Sequence, residues 1–176
     1  MATYKQASTT KELEQILLLQ QQNLSKNLTK TEKDDEGFVT VEHSLEILKK
    51  MNDAHGHIIA IENDIVIGYV LCMHPKFAHS IAILKPMFIE ISKTMKTNTE
   101  YMVMGQICIA KPYRRKGVFK GLYSKMKRTL PKGFDCIITE VDVNNKRSLY
   151  AHEAVGFREL KRYKTDTKEW SLIVLK

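Results

Sequence analysis

Cysteine is scarce in this sequence, and its placement predicts free thiols. The 176 residues contain only Cys72, Cys108 and Cys136, each alone within an apolar stretch. They form no C-x-x-C pair, and their spacing is not that of metal ligands. We therefore expect buried thiols in a reducing compartment, a cytoplasmic protein and no metal site.

Long apolar runs and a signal peptide are absent too. No stretch of the chain approaches the roughly 20 apolar residues that span a bilayer, so we expect no membrane segment. The first six residues are mostly polar, unlike the apolar core of a signal peptide. The hydrophobic share of 43% and charged share of 27% are usual for a soluble globular protein, and the length predicts one domain over residues 1–176.

Acidic residues are missing from one basic segment. The formal net charge is +8, and the stretch from Lys111 to Arg128 holds eight basic residues and no acidic one. Such a patch suits a ligand with clustered phosphates, such as coenzyme A, but it also suits nucleic acid or a solvated helix face. Because no stacking aromatics alternate with these cations, we rank coenzyme A first, the solvated face second and nucleic acid third.

The basic segment lies in the stretch around which the chain is organised. An apolar strand over Tyr101–Ala110 is followed by a loop with Gly117, and a helix begins at Val118 with apolar residues every fourth position. A glycine-bearing loop that opens a helix directs free backbone N–H groups towards one point, which predicts a phosphate site. No Walker motif is present, so the loop alone leaves an ordinary surface turn equally plausible.

A second segment, from Asn145 to Phe157, gives this pattern a family resemblance. Together the two segments resemble the GCN5-related N-acetyltransferase (GNAT) family. The family's acetyl-CoA loop, Arg/Gln-x-x-Gly-x-Gly/Ala, corresponds to residues 114–119, and its later Asn, aromatic or His, and Gly-Phe correspond to Asn145, His152 and Gly156-Phe157. Phe119 replaces the family's small residue, and its side chain would crowd the pyrophosphate unless it turned towards the core.

The resemblance implies a mixed α/β fold with a mainly antiparallel central sheet flanked by helices. An acidic cluster within residues 29–36 predicts a solvated turn, with a rim that attracts a cationic amine as the alternative. The sequence also predicts an extra helix within residues 77–96, which Pro86 would start late or kink. The predicted strands cover residues 3–7, 57–62, 65–73, 101–110, 134–143, 158–164 and 169–175, and the other helices begin near residues 10, 44, 118 and 146.

The resemblance also implies acetyl-CoA as co-substrate and an amine as acceptor. It assigns the pantetheine arm and the acetyl carbonyl to the central strand, and it adds Asn145 as a further contact of the pantetheine arm. It assigns the pyrophosphate to the loop of residues 111–117 and the residues that follow it, and we call this loop the basic loop. The residues implied to bind the cofactor are Ile107, Cys108, Ile109, Arg114, Arg115, Lys116, Gly117, Val118, Phe119, Asn145 and Ser148.

Two residues are candidates for proton transfer. His152 stands where many family members have the tyrosine that protonates sulfur, although a role in packing on its helix is the alternative, and Tyr150 is a competing acid. Several members carry a glutamate on the fourth strand, but this chain has Gln106 there, so Glu140 on the next strand is the best candidate base, with an ordinary surface or paired glutamate as the alternative. Cys108 fits the core of a strand better than a nucleophile's position.

The implied activity is acetyl transfer from acetyl-CoA to a primary amine of a small molecule or protein, by direct attack of the amine. The alternative is a noncatalytic module that keeps the fold and binds acyl-CoA or nucleic acid. Members of the family often pair, so a homodimer is a further expectation.

Overall fold

A seven-stranded sheet forms the centre of the molecule. The computed structural model describes residues 2–166 and 168–176. The strands follow the spatial order β1-β2-β3-β4-β5-β7-β6, and only β4 and β5 run parallel. The architecture confirms the predicted mixed α/β, mainly antiparallel sheet. The strands are β1 (Thr3–Gln6), β2 (Ile58–Glu62), β3 (Ile65–Met73), β4 (Tyr101–Ile109), β5 (Cys136–Asp142), β6 (Arg158–Lys164) and β7 (Glu169–Leu175).

Six α-helices accompany the sheet among the described residues: α1 (Thr10–Asn23), α2 (Lys30–Glu36), α3 (Leu45–Ala54), α4 (Lys85–Thr94), α5 (Val118–Arg128) and α6 (Lys146–Ala154). The prediction of a solvated turn over residues 29–36 was wrong, because this segment forms α2. Thr29 and Glu32 make a capping box, in which each side chain accepts a hydrogen bond from the other residue's backbone N–H. The acidic cluster is therefore held on a helix.

The sheet is covered on both faces, and β3 shows why its sequence is almost wholly apolar. Tyr69, Leu71 and Met73 point into a core that α1, α3 and α4 share, whereas Val70 and Cys72 point to the opposite core beneath α5. Successive side chains alternate across a strand, so a strand buried on both faces needs apolar residues at every position. The three cysteines are free and buried, as predicted.

The segment between β3 and β4 supplies the extra helix that the sequence predicts. Two short 3₁₀ turns, Pro75–Phe77 and Ala82–Leu84, precede α4, and Pro86 lies in the first turn of α4. Pro86 therefore makes the helix start late and does not kink it, because the first turn does not need the missing N–H. No helix among residues 2–166 and 168–176 is long and apolar enough to cross a membrane.

The two central strands pair over only part of their length. β4 and β5 are in register from Tyr101–Val103 against Cys136–Ile138 and in no later pair. Gly105 is an extra residue of β4, because Leu71 pairs with Gln106 while Cys72 pairs with Met104. Backbone groups of β4 beyond Met104 that face β5 therefore lack a strand partner and are available to a ligand.

Candidate active site

A cleft of about 360 Å³ opens beside the C-terminal end of β4, and we call it the cofactor cleft. Its walls come from β4, the basic loop, the start of α5, α6 and residues 36–39. All of the residues predicted to bind the cofactor line it except Lys116, whose ammonium lies 5.7 Å from the centre of the Tyr113 ring. The structure thus brings the two sequence segments of the predicted site together.

The basic loop ends in a backbone conformation that leaves the first turn of α5 open. Gly117 precedes the helix with φ of 81°, and no side chain caps the helix there. A Cβ on Gly117 would meet no atom within 4 Å, so it is the left-handed conformation that favours glycine, and not crowding. Arg115 is also left-handed, with φ of 60°, which is uncommon for a residue with a side chain. The free N–H groups of this turn and the helix dipole suit an anion.

The helix α2 is clasped to the same loop by ion pairs. Arg114 donates from Nη1 to Glu36 at 2.5 Å, from Nη2 to Asn23 Oδ1 at 2.6 Å and from Nε to the carbonyl of Ile109 at 2.9 Å. Lys111 lies 2.6 Å from Glu32, and this partner lowers the pKa of Glu32 to about 2. The acidic cluster therefore neutralises part of the basic loop, and Arg114 acts mainly as an anchor for α2.

Phe119 turns towards the core and does not cover the start of α5. Its ring centre lies 5.1 Å from those of Tyr123 and His152, and Phe157 contacts both of these rings. Gly121 lies two residues further along α5. Packing explains this glycine, because a Cβ there would lie 2.2 Å from Tyr4 of β1. The departure of Phe119 from the family pattern thus leaves the backbone donors of the loop accessible.

His152 is at the centre of this aromatic cluster and is only 1% exposed. Its Nδ1 lies 2.7 Å from the carbonyl of Ser148 and must donate to it, so Nε2 accepts from the Tyr123 hydroxyl at 2.7 Å. Burial lowers the pKa of His152 to about 4. A neutral imidazole with both nitrogens engaged favours the packing role that the sequence left open, and the acid role stays a prediction. The competing candidate, Tyr150, is 65% exposed.

Asn145 connects α6 to the segment after α2. Its Oδ1 caps α6 by accepting from the Ser148 N–H at 3.2 Å, and its Nδ2 donates to the carbonyl of Phe38 at 3.2 Å. Gly37 also packs against this side chain: a Cβ added to Gly37 would lie only 3.1 Å from Asn145 Oδ1. Asn145 thus shapes the cofactor cleft by holding its two walls together.

Residues 37–43, which we call the channel loop, are fixed by a buried polar network. Gln106 of β4 donates to the carbonyl of Val41 at 2.8 Å and accepts from the Tyr69 hydroxyl at 2.6 Å and from Gln20 at 2.9 Å. Gln20 also accepts from the backbone N–H of His43 at 2.9 Å. Gln106 therefore positions the channel loop at the place where the family resemblance suggested a base.

Two further cavities continue from the cofactor cleft along the channel loop. A small one of about 80 Å³, the inner chamber, lies in the gap between β4 and β5 and shares Ile107, Asn145 and Ser148 with the cofactor cleft. A larger one of about 320 Å³, the outer pocket, shares Gly105, Glu140 and other wall residues with the inner chamber. The three cavities adjoin one another through these shared walls, and we call the row of cavities the path; Glu140 belongs to the walls of both the inner chamber and the outer pocket.

The environment of Glu140 makes it a weaker acid than an ordinary glutamate, because it raises the pKa of the carboxyl group. Burial raises its pKa to about 7, while a hydrogen bond from the Tyr163 hydroxyl acts in the opposite direction. A carboxyl group that titrates near neutrality is suited to take and release a proton. Cys108 contrasts with it: burial raises the pKa of this thiol to about 12, so its thiolate is scarcely populated near neutral pH.

Some residues of the path were not predicted from the sequence. Arg147 and Ala151 of α6 line the cofactor cleft, and Trp170 of β7 lines both other cavities. Arg147 lies within the segment that carried the family resemblance, so its basic side chain two residues after Asn145 was an available signal. Trp170 had no local signal, because β7 reaches the path only through its pairing with β5. Among the described residues, no group of three or more His, Cys, Asp or Glu is placed to hold a metal ion.

A family comparison agrees with this geometry. A model of the acetyltransferase (GNAT) family matches residues 24–157, which is more than half of the sequence. The chain therefore belongs to the GNAT family, and it is an acyltransferase. No curated protein gave a match.

Solved structures are similar over almost the whole chain. NAA60 from Arabidopsis thaliana, in complex with acetyl-CoA, aligns with a TM-score of 0.68 and 13% identity and covers 99% of each chain. The ribosomal-protein-S18-alanine N-acetyltransferase from Escherichia coli aligns with a TM-score of 0.63 and 14% identity over 99% of this chain and 93% of that one. Naa50 from Arabidopsis thaliana, in complex with the bisubstrate analogue CoA-Ac-MVNAL, aligns with a TM-score of 0.65 and 14% identity over 99% of this chain and 98% of that one. These likenesses show the fold.

Proposed function

We propose that the chain is an acetyl-CoA-dependent N-acetyltransferase that acetylates a primary amine of a small molecule or protein by direct attack. The observation that carries this proposal is the row of adjoining cavities from the cofactor cleft through the inner chamber to the outer pocket, with Glu140 in the walls of the last two. Separate cavities for the cofactor and the acceptor would allow both substrates to be bound at the same time, as direct attack requires.

The cofactor cleft fits coenzyme A by charge and by shape. Arg115, Lys120 and Arg147 line it and have no carboxylate partner within it, since Glu36 is already paired with Arg114. The open first turn of α5 supplies backbone donors for the pyrophosphate, and β4 beyond Met104 supplies unpaired backbone groups for the pantetheine arm and the acetyl carbonyl. Several of the similar structures carry acetyl-CoA or CoA, which supports the same ligand here.

Glu140 is the base in the proposed reaction. The amine nitrogen attacks the thioester carbonyl, a C–N bond forms, the C–S bond breaks, and Glu140 receives the proton that the nitrogen loses. Backbone N–H groups of β4 stabilise the negative charge on the carbonyl oxygen. The leaving group is coenzyme A. A thiol of ordinary pKa, about 8.5, can leave as a thiolate that water then protonates, so the proposed reaction does not depend on a side-chain acid.

A covalent acyl-enzyme is not part of the proposal. Cys108 lines the cofactor cleft, but it is 7% exposed and its thiol is protonated at neutral pH. We expect Cys108→Ala to retain turnover, and the intact mass of the protein after incubation with acetyl-CoA to show no acetyl adduct. An adduct that disappears in this variant would replace direct attack with a two-step mechanism.

The second candidate is a noncatalytic module that binds acyl-CoA or nucleic acid. The exposed cations of α5 favour it, because Lys127 and Arg128 lie outside the cofactor cleft. A thermal shift assay with acetyl-CoA, CoA and a short DNA duplex tests the nucleic-acid form of this candidate, since a ligand that binds the folded state raises the melting temperature. The acyl-CoA form would also respond to both CoA forms, so it is separated from the enzyme by its failure to form an acetylated product. We expect a rise with both CoA forms and none with DNA. A rise with DNA alone would favour the second candidate.

A further inference from the structure

We propose that the outer pocket selects acceptors with one amine and a sizeable apolar substituent, and that it rejects acceptors with a second positive charge. This inference rests on the proposed function and names the class of acceptor. It starts from the walls of the outer pocket, which hold one carboxylate, Glu140, and one ammonium, Lys168, among their ionisable side chains.

The remaining walls are mainly apolar. Ile83, Pro86 and Met87 form one side, Val41 of the channel loop forms another, and Trp170 contributes an indole ring. A volume of about 320 Å³ is at the lower end of the range for small-molecule sites, about 300–1,000 Å³. An apolar group that leaves water for this pocket gains the free energy of hydrophobic burial.

The charges of the pocket favour a single cation. Glu140 can receive the proton of one ammonium group, and the other described residues that line the pocket include no second carboxylate. The ammonium of Lys168 already holds the neighbouring carboxylate: its Nζ lies 3.2 Å from Asp142 and 5.4 Å from the centre of the Trp170 ring. A second ammonium on the acceptor would therefore find Asp142 already paired and would lose water without gaining a partner.

The selective wall comes from the segment between β3 and β4. This segment packs on the sheet through Met87 and Ile91, so it is a fixed part of the fold. It also brings Ile83, which is 64% exposed, to the edge of the outer pocket. An apolar side chain this exposed at the edge of a cavity is available to an apolar acceptor.

A matched pair of amines tests the inference. Hexylamine and hexamethylenediamine have the same carbon chain and differ by one terminal amine. We expect kcat/KM to be about 100-fold higher for hexylamine, because the second ammonium must be buried without a partner. A short peptide that begins with leucine is assayed in parallel, because it also carries an amine next to an apolar group. Comparing it with hexylamine shows whether the acceptor is a small free amine or a protein N-terminus.

A substitution at the edge of the pocket should reduce the preference. Ile83→Asp adds a carboxylate to an exposed position, so the preference for hexylamine over the diamine should fall about tenfold or more. Ile89→Asp is the control, since Ile89 is 52% exposed on the same segment and lies outside the pocket wall. It should leave the preference unchanged.

The outcomes separate this inference from the proposed function. Efficient acetylation of the diamine, or equal effects of the two aspartate variants, would overturn the inference and leave the acetyltransferase intact. No acetylation of either amine or of the peptide, with acetyl-CoA bound, would overturn the proposed function itself.

Discussion

At the scale of single residues, the surroundings of Glu140 and His152 decide what each can do. Both are largely buried, and burial disfavours the charged form of each. For a carboxyl group this raises the pKa towards neutrality, where a base is most useful. For an imidazole it lowers the pKa to about 4, so His152 is uncharged at physiological pH. The same physical effect thus favours Glu140 as the residue that takes up a proton and favours an uncharged, packing role for His152.

Glu140 should set the pH dependence of the reaction. Because the base must be deprotonated, we expect kcat/KM to rise with pH through about 7, the pKa of Glu140. Glu140→Gln should lower kcat about 100-fold or more and remove this limb, with acetyl-CoA affinity unchanged. Tyr163→Phe removes a hydrogen bond that lowers the pKa of Glu140, so the limb should move to higher pH. An unchanged profile in both variants would exclude Glu140 as the base.

His152 should contribute to stability more than to turnover. His152→Ala opens a cavity in the aromatic cluster and leaves the Tyr123 hydroxyl without its acceptor, which should cost about 3 kcal/mol of unfolding free energy. Denaturant unfolding measures this loss, and kcat per folded molecule should stay close to that of the wild type. Tyr123→Phe is the control, because it removes the hydrogen bond and keeps the ring. A large loss of kcat with unchanged stability would instead support His152 as the acid.

At the scale of elements, the loop that opens α5 is expected to bind the cofactor's phosphates. Arg115 lines the cofactor cleft, whereas the side chain of its neighbour Lys116 lies over Tyr113. Arg115→Glu should weaken acetyl-CoA binding about tenfold or more in calorimetry, because it places a carboxylate against phosphate. Lys116→Glu makes the same change in net charge outside the cleft wall and should have the smaller effect. Equal effects of the two would mean that the loop acts only through its overall charge.

The contact between α5 and β1 should be tight enough to exclude a single methyl group. Gly121→Ala would ordinarily stabilise a helix by about 1 kcal/mol. Here the new Cβ would lie 2.2 Å from the Tyr4 ring, so we expect a loss of about 1–3 kcal/mol instead. Adding Tyr4→Ala should make the glycine substitution much less harmful, and a double-mutant cycle measures that coupling. A stabilising Gly121→Ala would show that Tyr4 moves aside freely.

The elements also show what a local pattern can predict. The bounds of β6 and β7 were predicted correctly, at residues 158–164 and 169–175, on either side of a polar stretch of sequence. The helix α5 followed from its four-residue spacing and from Gly117. The helix α2 was missed because its seven residues carry no apolar face, although Thr29 and Glu32 hold the capping-box positions.

At the scale of the whole molecule, the site depends on contacts between distant segments that no local pattern shows. The sequence predicted most of the residues that line the cofactor cleft, since they fall in a few short segments. It could not show that Tyr123 and His152, which are 29 positions apart in the sequence, form a hydrogen bond. Nor could it show that Gln106 donates a hydrogen bond to Val41, which is 65 positions away. The path itself arises because β4 and β5 separate after three registered pairs, which is a property of the whole sheet.

The most direct test of the account is product analysis with acetyl-CoA and hexylamine. Mass spectrometry of the amine and a thiol assay follow the same reaction over time. We predict that N-acetylhexylamine and free CoA appear in equal amounts, at a rate that falls about 100-fold in Glu140→Gln. Binding of acetyl-CoA with no acetylated product from hexylamine, the diamine or the peptide would contradict the account and leave a noncatalytic acyl-CoA-binding module.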